Sequence, residues 1–364
     1  MASPEISLIG CGRIGFLLEN DSLRNKPCTH YGGAISAGLK VTSACDRDPS
    51  RLKIFAETAG VPEHALFSDH KTLFKNIKPL ITIIATWTDS HTSIALDAIK
   101  NGSKIIILEK PAASSLAAAR KIIMEADSAA CRIIVNHERR FDPRYNKVRE
   151  MIHNGVIGEI KSVNARILTG KYTGKSMIDD GGGPLLHDGT HLVDIIRFFF
   201  GDITEVQGKF IRRNRASGFE DTAFAWMQCE NGINIFLEAG GERKYFMFEL
   251  EIWGAEGKIE IGNGFNRLYL RKKSRLYTGF NDLCEIKFPV IKKRNCFTEL
   301  YRSVSSMLKG KSVPDISGIN DGYKSLEIIH AVYYSSYSGG KKITLPVEPE
   351  KINLKKIFNL SSNL

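Results

Sequence analysis

Short apolar runs alternate with amphipathic stretches through the first third of the chain. Residues 6–9, 39–45, 80–85, 105–108 and 132–135 are rich in Ile, Leu and Val and too short for core helices, so they read as buried strands of a parallel sheet. Residues 50–59, 90–99 and 115–129 carry apolar positions at three- and four-residue spacing and read as helices. Pro49 suits the first turn of the first, Asn101-Gly102 stops the second, and Ser114 or Ser115 caps the third. The stretch 20–31, with Pro27 and several polar residues, interrupts the helix after the first strand, which resumes over about 30–37. Repeated strand–helix units predict an α/β doubly wound sheet.

Beyond Arg139 the pattern changes to longer alternating strands, over 159–168, 205–212, 222–230, 233–239, 246–253 and 257–261, which predict one large, mostly antiparallel sheet. Asn231-Gly232 marks a hairpin in which both turn residues take positive φ. Helices are predicted over 185–200 and from Ser317 or Asn320, either of which can cap, to about 335, where Gly339-Gly340 follows as a stop. Leu326, Ile329, Val332 and Tyr333 form a core stripe on the second helix. A tail from Pro349, with Ile352, Leu354, Ile357, Phe358 and Leu360 apolar, packs on the body or on a neighbouring subunit.

Composition adds bounds. At 364 residues, 43% apolar and 25% charged, the chain suits two globular domains without low-complexity tracts. The net charge of +11 is partly concentrated in Arg271-Lys272-Lys273, Lys292-Lys293-Arg294 and Lys341-Lys342, which read as solvated rims. No module for nucleic-acid recognition accompanies them. Seven scattered cysteines point to neither a disulfide framework nor a structural zinc site. With no apolar run of membrane-spanning length and no leader-like N-terminal pattern, a cytoplasmic protein without membrane contact is expected.

Candidate chemistry sits at the ends of the predicted strands. Gly10-Cys11-Gly12-Arg13-Ile14-Gly15 follows the first strand directly, the context a dinucleotide-binding loop requires: Gly10 for the tight turn, Gly12 for approach of a pyrophosphate, Gly15 for close packing, with Arg13 and Ile14 between them. Asp46 ends the second strand, where a carboxylate accepts from both ribose hydroxyls and repels a 2′-phosphate. This favours NAD, while adjacent Arg47 leaves NADP open. Thr86 and Trp87 line the nicotinamide side and His91 bonds polar groups nearby, or else bonds backbone at a helix start. Lys110, in Glu109-Lys110-Pro111 at the end of the 105–108 strand, is a catalytic candidate, and on spacing alone it reads equally as a surface lysine in a turn. His187 and His191, four residues apart, converge on one helical face beside Asp188. No H-E-x-x-H pattern accompanies them, and no metal is expected.

With these segments, Arg139-Arg140-Phe141-Asp142-Pro143, Asn154-Gly155-Val156-Ile157-Gly158, Gly181-Gly182-Gly183 and Asp321-Gly322, the chain resembles the Gfo/Idh/MocA oxidoreductases nearly end to end. The resemblance implies an NAD(P)-binding Rossmann domain (1–137), a substrate-binding and oligomerisation domain whose open sheet is covered by helices on one face (138–345), and the tail (346–364). It further implies that Lys110 contacts substrate and nicotinamide ribose after a cis peptide bond to Pro111, that Glu109 belongs to the cofactor segment, and that His191 is the acid/base. Arg139, Asp188 and His187 are implied as substrate contacts, His187 standing where the family usually has an aspartate. The function implied is hydride transfer at a secondary alcohol or ketone of a sugar, cyclitol or related carbohydrate by a homo-oligomer. A nucleotide-sugar dehydrogenase is the alternative within enzymes, and a non-catalytic NAD(P)-binding sensor the alternative of another class.

Overall fold

The computed structural model describes residues 4–170, 182–213, 218–314 and 316–359. Its chain divides into two units. One comprises residues up to Asp142 with Lys293–Lys324, the other Pro143–Lys292 with Ser325 onward. The division drawn from sequence differs: it breaks at 137 instead of 142, gives 293–324 to the second domain, and separates a tail that here belongs to the second unit.

In the first unit β1 (Ile6–Ile9), α1 (His30–Ser36), β2 (Ser43–Cys45), α2 (Pro49–Ala59), β3 (Leu66–Phe67), α3 (His70–Asn76), β4 (Ile81–Ile84), α4 (Thr88–Lys100), β5 (Ile105–Leu108), α5 (Leu116–Ser128) and β6 (Arg132–Val135) alternate. The six strands pair in parallel in the order β3-β2-β1-β4-β5-β6. Every residue of β1, β4 and β5 is buried, because helices cover both faces of a doubly wound sheet, and this is why the sequence runs there are unbroken. Helix starts follow local chemistry: Thr29, Asp48, Asp69 and Ser115 each accept a backbone N–H of the first turn.

Three details depart from expectation. After β1 the chain makes only turns and a short 3₁₀ segment, Leu17–Asn20, before α1. Glu19 then accepts from the Cys28 N–H at 3.1 Å and the Thr29 hydroxyl at 2.7 Å, pinning the exit of the insertion to its entry. The second strand covers only Ser43–Cys45, and β3 and α3 were not anticipated.

The second unit runs through α6 (Pro143–His153), β7 (Ile160–Leu168), α7 (Pro184–His187), α8 (Gly189–Phe200), β8 (Ile203–Ile211), β9 (Thr222–Cys229), β10 (Asn234–Gly240), β11 (Met247–Gly254), β12 (Gly257–Gly262), β13 (Phe265–Lys273) and β14 (Asn281–Ile286). Then come α9 (Cys296–Leu308), which clusters with the first unit, α10 (Ile319–Tyr337), β15 (Ile343–Thr344) and α11 (Leu354–Phe358). The sheet order is β14-β13-β12-β11-β7-β10-β9-β8-β15, antiparallel except between β7 and β10. Alternate residues face the helices: Ala223, Ala225 and Met227 of β9 are buried, and Tyr145 of α6 meets Phe199 of α8 and Phe248 of β11 at ring distances of 6.2 and 6.4 Å.

Here too the structure corrects particulars. The β9–β10 turn has positive φ only at Gly232, and the Gly232 N–H bonds the Cys229 carbonyl, so Asn231 is not left-handed. The helix expected over 185–200 is interrupted at Asp188, between α7 and α8. Neither Ser317 nor Asn320 is seen to cap α10: the Ser317 hydroxyl pairs with His137, and Asp321 accepts the Gly318 N–H. The tail packs on its own body, with Phe358 only 1% exposed and 4.9–5.1 Å from the rings of Phe210, Tyr333 and Phe219. That burial contributes on the order of 1.5–3 kcal/mol. Leu360 and Asp179-Asp180-Gly181 lie outside the described residues.

Candidate active site

In the first unit the register of the parallel sheet builds one row of strand-end residues. Ile9 aligns with Cys45 and Ile84, Ile84 with Leu108, and Leu108 with Val135. The next residues, Gly10, Asp46, Ala85, Glu109 and Asn136, therefore leave the sheet along the same carboxyl edge, where ligands of open α/β sheets bind. Asp46 is buried and accepts the Cys11 N–H at 2.8 Å and the Asp48 N–H at 2.9 Å, tying the glycine loop to the end of β2.

The loop has the shape a dinucleotide needs. A Cβ at Gly15 would lie 2.0 Å from the Gly10 carbonyl oxygen, so the turn closes only around glycine. A Cβ at Gly12 would meet nothing nearer than Arg51 at 3.5 Å, so its α-carbon faces open space, as close approach of a pyrophosphate requires. Ile14 is half-buried, and Arg13 and Arg47 are exposed.

Beyond β4, Thr86 is half-buried and Trp87 is 48% exposed. His91 is buried, with Nδ1 2.9 Å from the Pro111 carbonyl oxygen and Nε2 3.1 Å from that of Thr86. It thus braces the β4 and β5 loops against each other, the backbone bonding that the sequence offers as one of its two readings. The Lys110–Pro111 peptide is cis, as the resemblance implies, and Lys110 is half-buried.

Glu109 is the most heavily supported carboxylate of this edge. Its Oε1 accepts from His30 Nε2 at 2.9 Å and Asn136 Nδ2 at 2.6 Å, and its Oε2 from the Lys110 N–H at 3.3 Å. Burial alone would raise its pKa. The His30 hydrogen bond and charge, the Lys110 ammonium and the Asn136 amide overcome that and hold it at about 2. Arg139 lies on a 3₁₀ turn, Glu138–Phe141, with Nη1 3.5 Å from Glu138, while its neighbour Arg140 is buried and pairs with Asp321 at 3.1 Å. Sequence reasoning missed His30, Asn136 and Arg140.

In the second unit His187 ends α7, and its Nδ1 is 3.1 Å from Asp188 Oδ1. His191 lies in the first turn of α8, half-buried, its N–H bonded to the Asp188 carbonyl at 3.2 Å. Glu220, also missed, anchors this segment: its Oε1 accepts the Leu185 N–H at 2.9 Å and the Tyr333 hydroxyl at 2.8 Å. Complete burial pushes its carboxyl up to about 7. A carboxyl whose pKa is higher folded than unfolded withdraws stability as pH rises between the two values, here from about 4.5 to about 7. Glu220→Gln should therefore gain stability relative to wild type progressively between about pH 4.5 and 7, by up to roughly 3 kcal/mol, read as a rising difference in melting temperature. A difference that stays flat with pH would refute this.

Among the described residues no group of three or more His, Cys, Asp or Glu side chains is placed to hold a metal ion, and no helix is long and apolar enough to cross a membrane.

Comparison with known proteins agrees with this architecture. Residues 5–137 match the model of the oxidoreductase family with an NAD-binding Rossmann fold, and residues 145–260 that of the GFO/IDH/MocA C-terminal domain. The chain is 26% identical over 312 residues to a D-apiose dehydrogenase of Paraburkholderia graminis, covering 83% of this chain and 82% of that protein. It is 26% identical over 359 residues to inositol 2-dehydrogenase 2 of Saccharopolyspora erythraea, covering 94% and 95%. The WlbA dehydrogenase of Bordetella pertussis, solved with NADH and UDP-GlcNAcA, superposes with a TM-score of 0.75 at 20% identity, over 95% of this chain and 100% of that one. A glycine loop opening a six-stranded parallel sheet, a Glu-Lys-Pro turn on its carboxyl edge and matching family models in both units place the chain in the Gfo/Idh/MocA family of NAD-binding oxidoreductases.

Proposed function

We propose that this oxidoreductase interconverts a secondary alcohol and a ketone on a sugar, cyclitol or related carbohydrate. The observation that carries the reading is the row of strand ends, which sets Glu109-Lys110-Pro111 on the same edge as the glycine loop and Asp46. The relatives named as apiose and inositol dehydrogenases support the substrate class.

The glycine loop, Asp46 and the Thr86-Trp87 segment hold the dinucleotide. When bound, its nicotinamide takes or returns the hydride. His191 removes the hydroxyl proton in the oxidative direction and returns it in the reductive one. Lys110 stabilises the developing alkoxide and orients substrate. Arg139, His187 and Asp188 contact the remaining hydroxyls or an acidic group. Asp46 favours NAD over NADP by repelling a 2′-phosphate.

A nucleotide-sugar substrate is the second reading, and the likeness to a dehydrogenase solved with UDP-GlcNAcA favours it. We further place the protein in the cytoplasm as a homo-oligomer. All seven cysteines are unpaired, which suits a reducing compartment and is checked by cell fractionation. The sheet of the second unit exposes Phe224 and Phe236 on adjacent strands, which suits a subunit interface.

The test is turnover of cyclitols, aldoses, sugar acids and nucleotide sugars with NAD or NADP, followed by reduced-nicotinamide absorbance, with light scattering on the same sample. NAD reduction by one carbohydrate class and a mass above one chain are expected. Tight NAD binding without turnover across the panel would overturn the substrate assignment.

A further inference from the structure

A buried relay in the first unit ends on the residue next to Lys110. Tyr301, in the middle of α9, has its hydroxyl 2.8 Å from His30 Nδ1, and His30 Nε2 lies 2.9 Å from Glu109 Oε1. His30 and Tyr301 are both 0% exposed and Glu109 is 6% exposed, so water does not replace any of these bonds. The direction of the bond to Glu109 follows from chemistry. An ionised carboxylate only accepts, so His30 Nε2 donates to Glu109, and the Tyr301 hydroxyl, which can donate or accept, pairs with Nδ1.

The close approach of α1 and α9 that makes this contact is itself built into the sequence. A Cβ at Gly33, one turn after His30, would lie 2.8 Å from the Tyr301 ring and 2.9 Å from Phe297 Cβ. Phe297 also meets the His30 ring edge-on, at 5.5 Å. Packing alone would be satisfied by an apolar pair at positions 30 and 301. A histidine and a tyrosine whose polar atoms point in line at a buried carboxylate are instead a hydrogen-bonded support for that charge.

From this arrangement we infer that Tyr301 and His30 are positioning residues for Lys110, acting through Glu109. Glu109 holds the Lys110 N–H through Oε2 while His30 and Asn136 hold Oε1, and the next residue, Pro111, is held through its carbonyl by His91. Lys110 therefore projects from a turn fixed on both sides, and loss of the relay frees the Glu109 side. The inference rests on the role given to Lys110 above.

The test compares wild type with Tyr301→Phe and His30→Gln, each also combined with Lys110→Ala. Tyr301→Phe keeps the ring and removes only the hydroxyl, so α9 stays docked. Hydrogen–deuterium exchange of the peptide spanning 105–113 is expected to accelerate about tenfold or more in both single variants, with the α9 peptides unchanged in Tyr301→Phe. With the alcohol that reduces NAD in the panel, kcat is expected to fall about tenfold in the Lys110 background and not further in the Lys110→Ala background, the non-additivity of residues acting through one another.

Unchanged exchange at 105–113 would overturn the inference whatever Lys110→Ala does, as would, where Lys110→Ala itself lowers turnover, equal losses of kcat in both backgrounds, the signature of a merely structural role. Faster exchange at 105–113 with turnover indifferent to Lys110→Ala would uphold the positioning and remove the catalytic assignment of Lys110.

Discussion

Turnover by His191→Ala is expected to fall by roughly two to four orders of magnitude, the range general acid–base catalysis supplies. Lys110→Ala is expected to lose about 10²- to 10³-fold, comparable to removing one donor to a developing oxyanion. The two losses should differ in kind. Without His191 in its proposed role the hydroxyl proton must leave to water, so kcat should collapse while NAD binding and KM change little. In the role proposed for it Lys110 also binds substrate in the ground state, so its removal should raise KM along with lowering kcat. His191 belongs to α8, within a core of buried Leu192, Ile195 and Ile196, so Ala at a half-buried position there should leave the melting temperature nearly unchanged. Steady-state kinetics on the substrate found in the panel decide the matter. Unchanged kcat in both variants would remove the mechanism while leaving the cofactor site intact.

Gly15→Ala should have the next largest effect, on cofactor binding. The added methyl would stand 2.0 Å from the Gly10 carbonyl oxygen, a backbone atom that cannot swing aside as a flexible side chain does. Relief requires the whole turn to open, and the Gly10 N–H is bonded to the Cys45 carbonyl at 2.8 Å, so opening also strains the end of β2. Overpacking of this kind costs on the order of 1–3 kcal/mol. If that cost falls on the binding-competent loop, NAD affinity drops by about tenfold to a hundredfold, measurable by quenching or calorimetry. The melting temperature should fall as well. A variant that binds NAD as wild type does would show that the loop does not carry the pyrophosphate.

How much was legible depended on how each element is buried. The inner strands of the first sheet announce themselves because both faces are covered and the apolar run is unbroken, as in Ile105-Ile106-Ile107-Leu108. β3 escaped because two half-buried residues make no pattern. β13 and β14 escaped because only Leu268 of β13 is buried, while Arg271, Lys272 and Lys273 at its end are exposed and look like a solvated rim. α9 was readable in principle. Asn295 caps it, and Phe297, Leu300, Tyr301 and Val304 recur at helical spacing, yet it directly follows Lys292-Lys293-Arg294, a run that reads as a solvated rim.

The site divides in the same way. Gly10, Asp46, Glu109 and Lys110 stand at strand ends, positions that a strand pattern locates. The partners of Glu109 come from positions 30 and 136, and the partner of His30 from 301, with no local pattern linking them. Only the register of the sheet and the docking of α9 bring them together. Glu220 was invisible for the same reason, since what singles it out is the Leu185 N–H and the Tyr333 hydroxyl it serves from far along the chain.

The return of Lys293–Lys324 to the first unit bears on how the protein is made. Phe297, Leu300, Tyr301 and Val304 of α9 are members of the same apolar core as Ile6, Phe16, Val41 and Ile83. A ribosome delivers the nucleotide-binding sheet first, but its core lacks these four side chains until α9 has left the exit tunnel, after the whole of the second unit's sheet up to β14 has been synthesised. The nascent first unit therefore waits with an apolar surface uncovered, the situation chaperones attend to. A stop codon after Asp142 would leave the complete parallel sheet with that surface open for good.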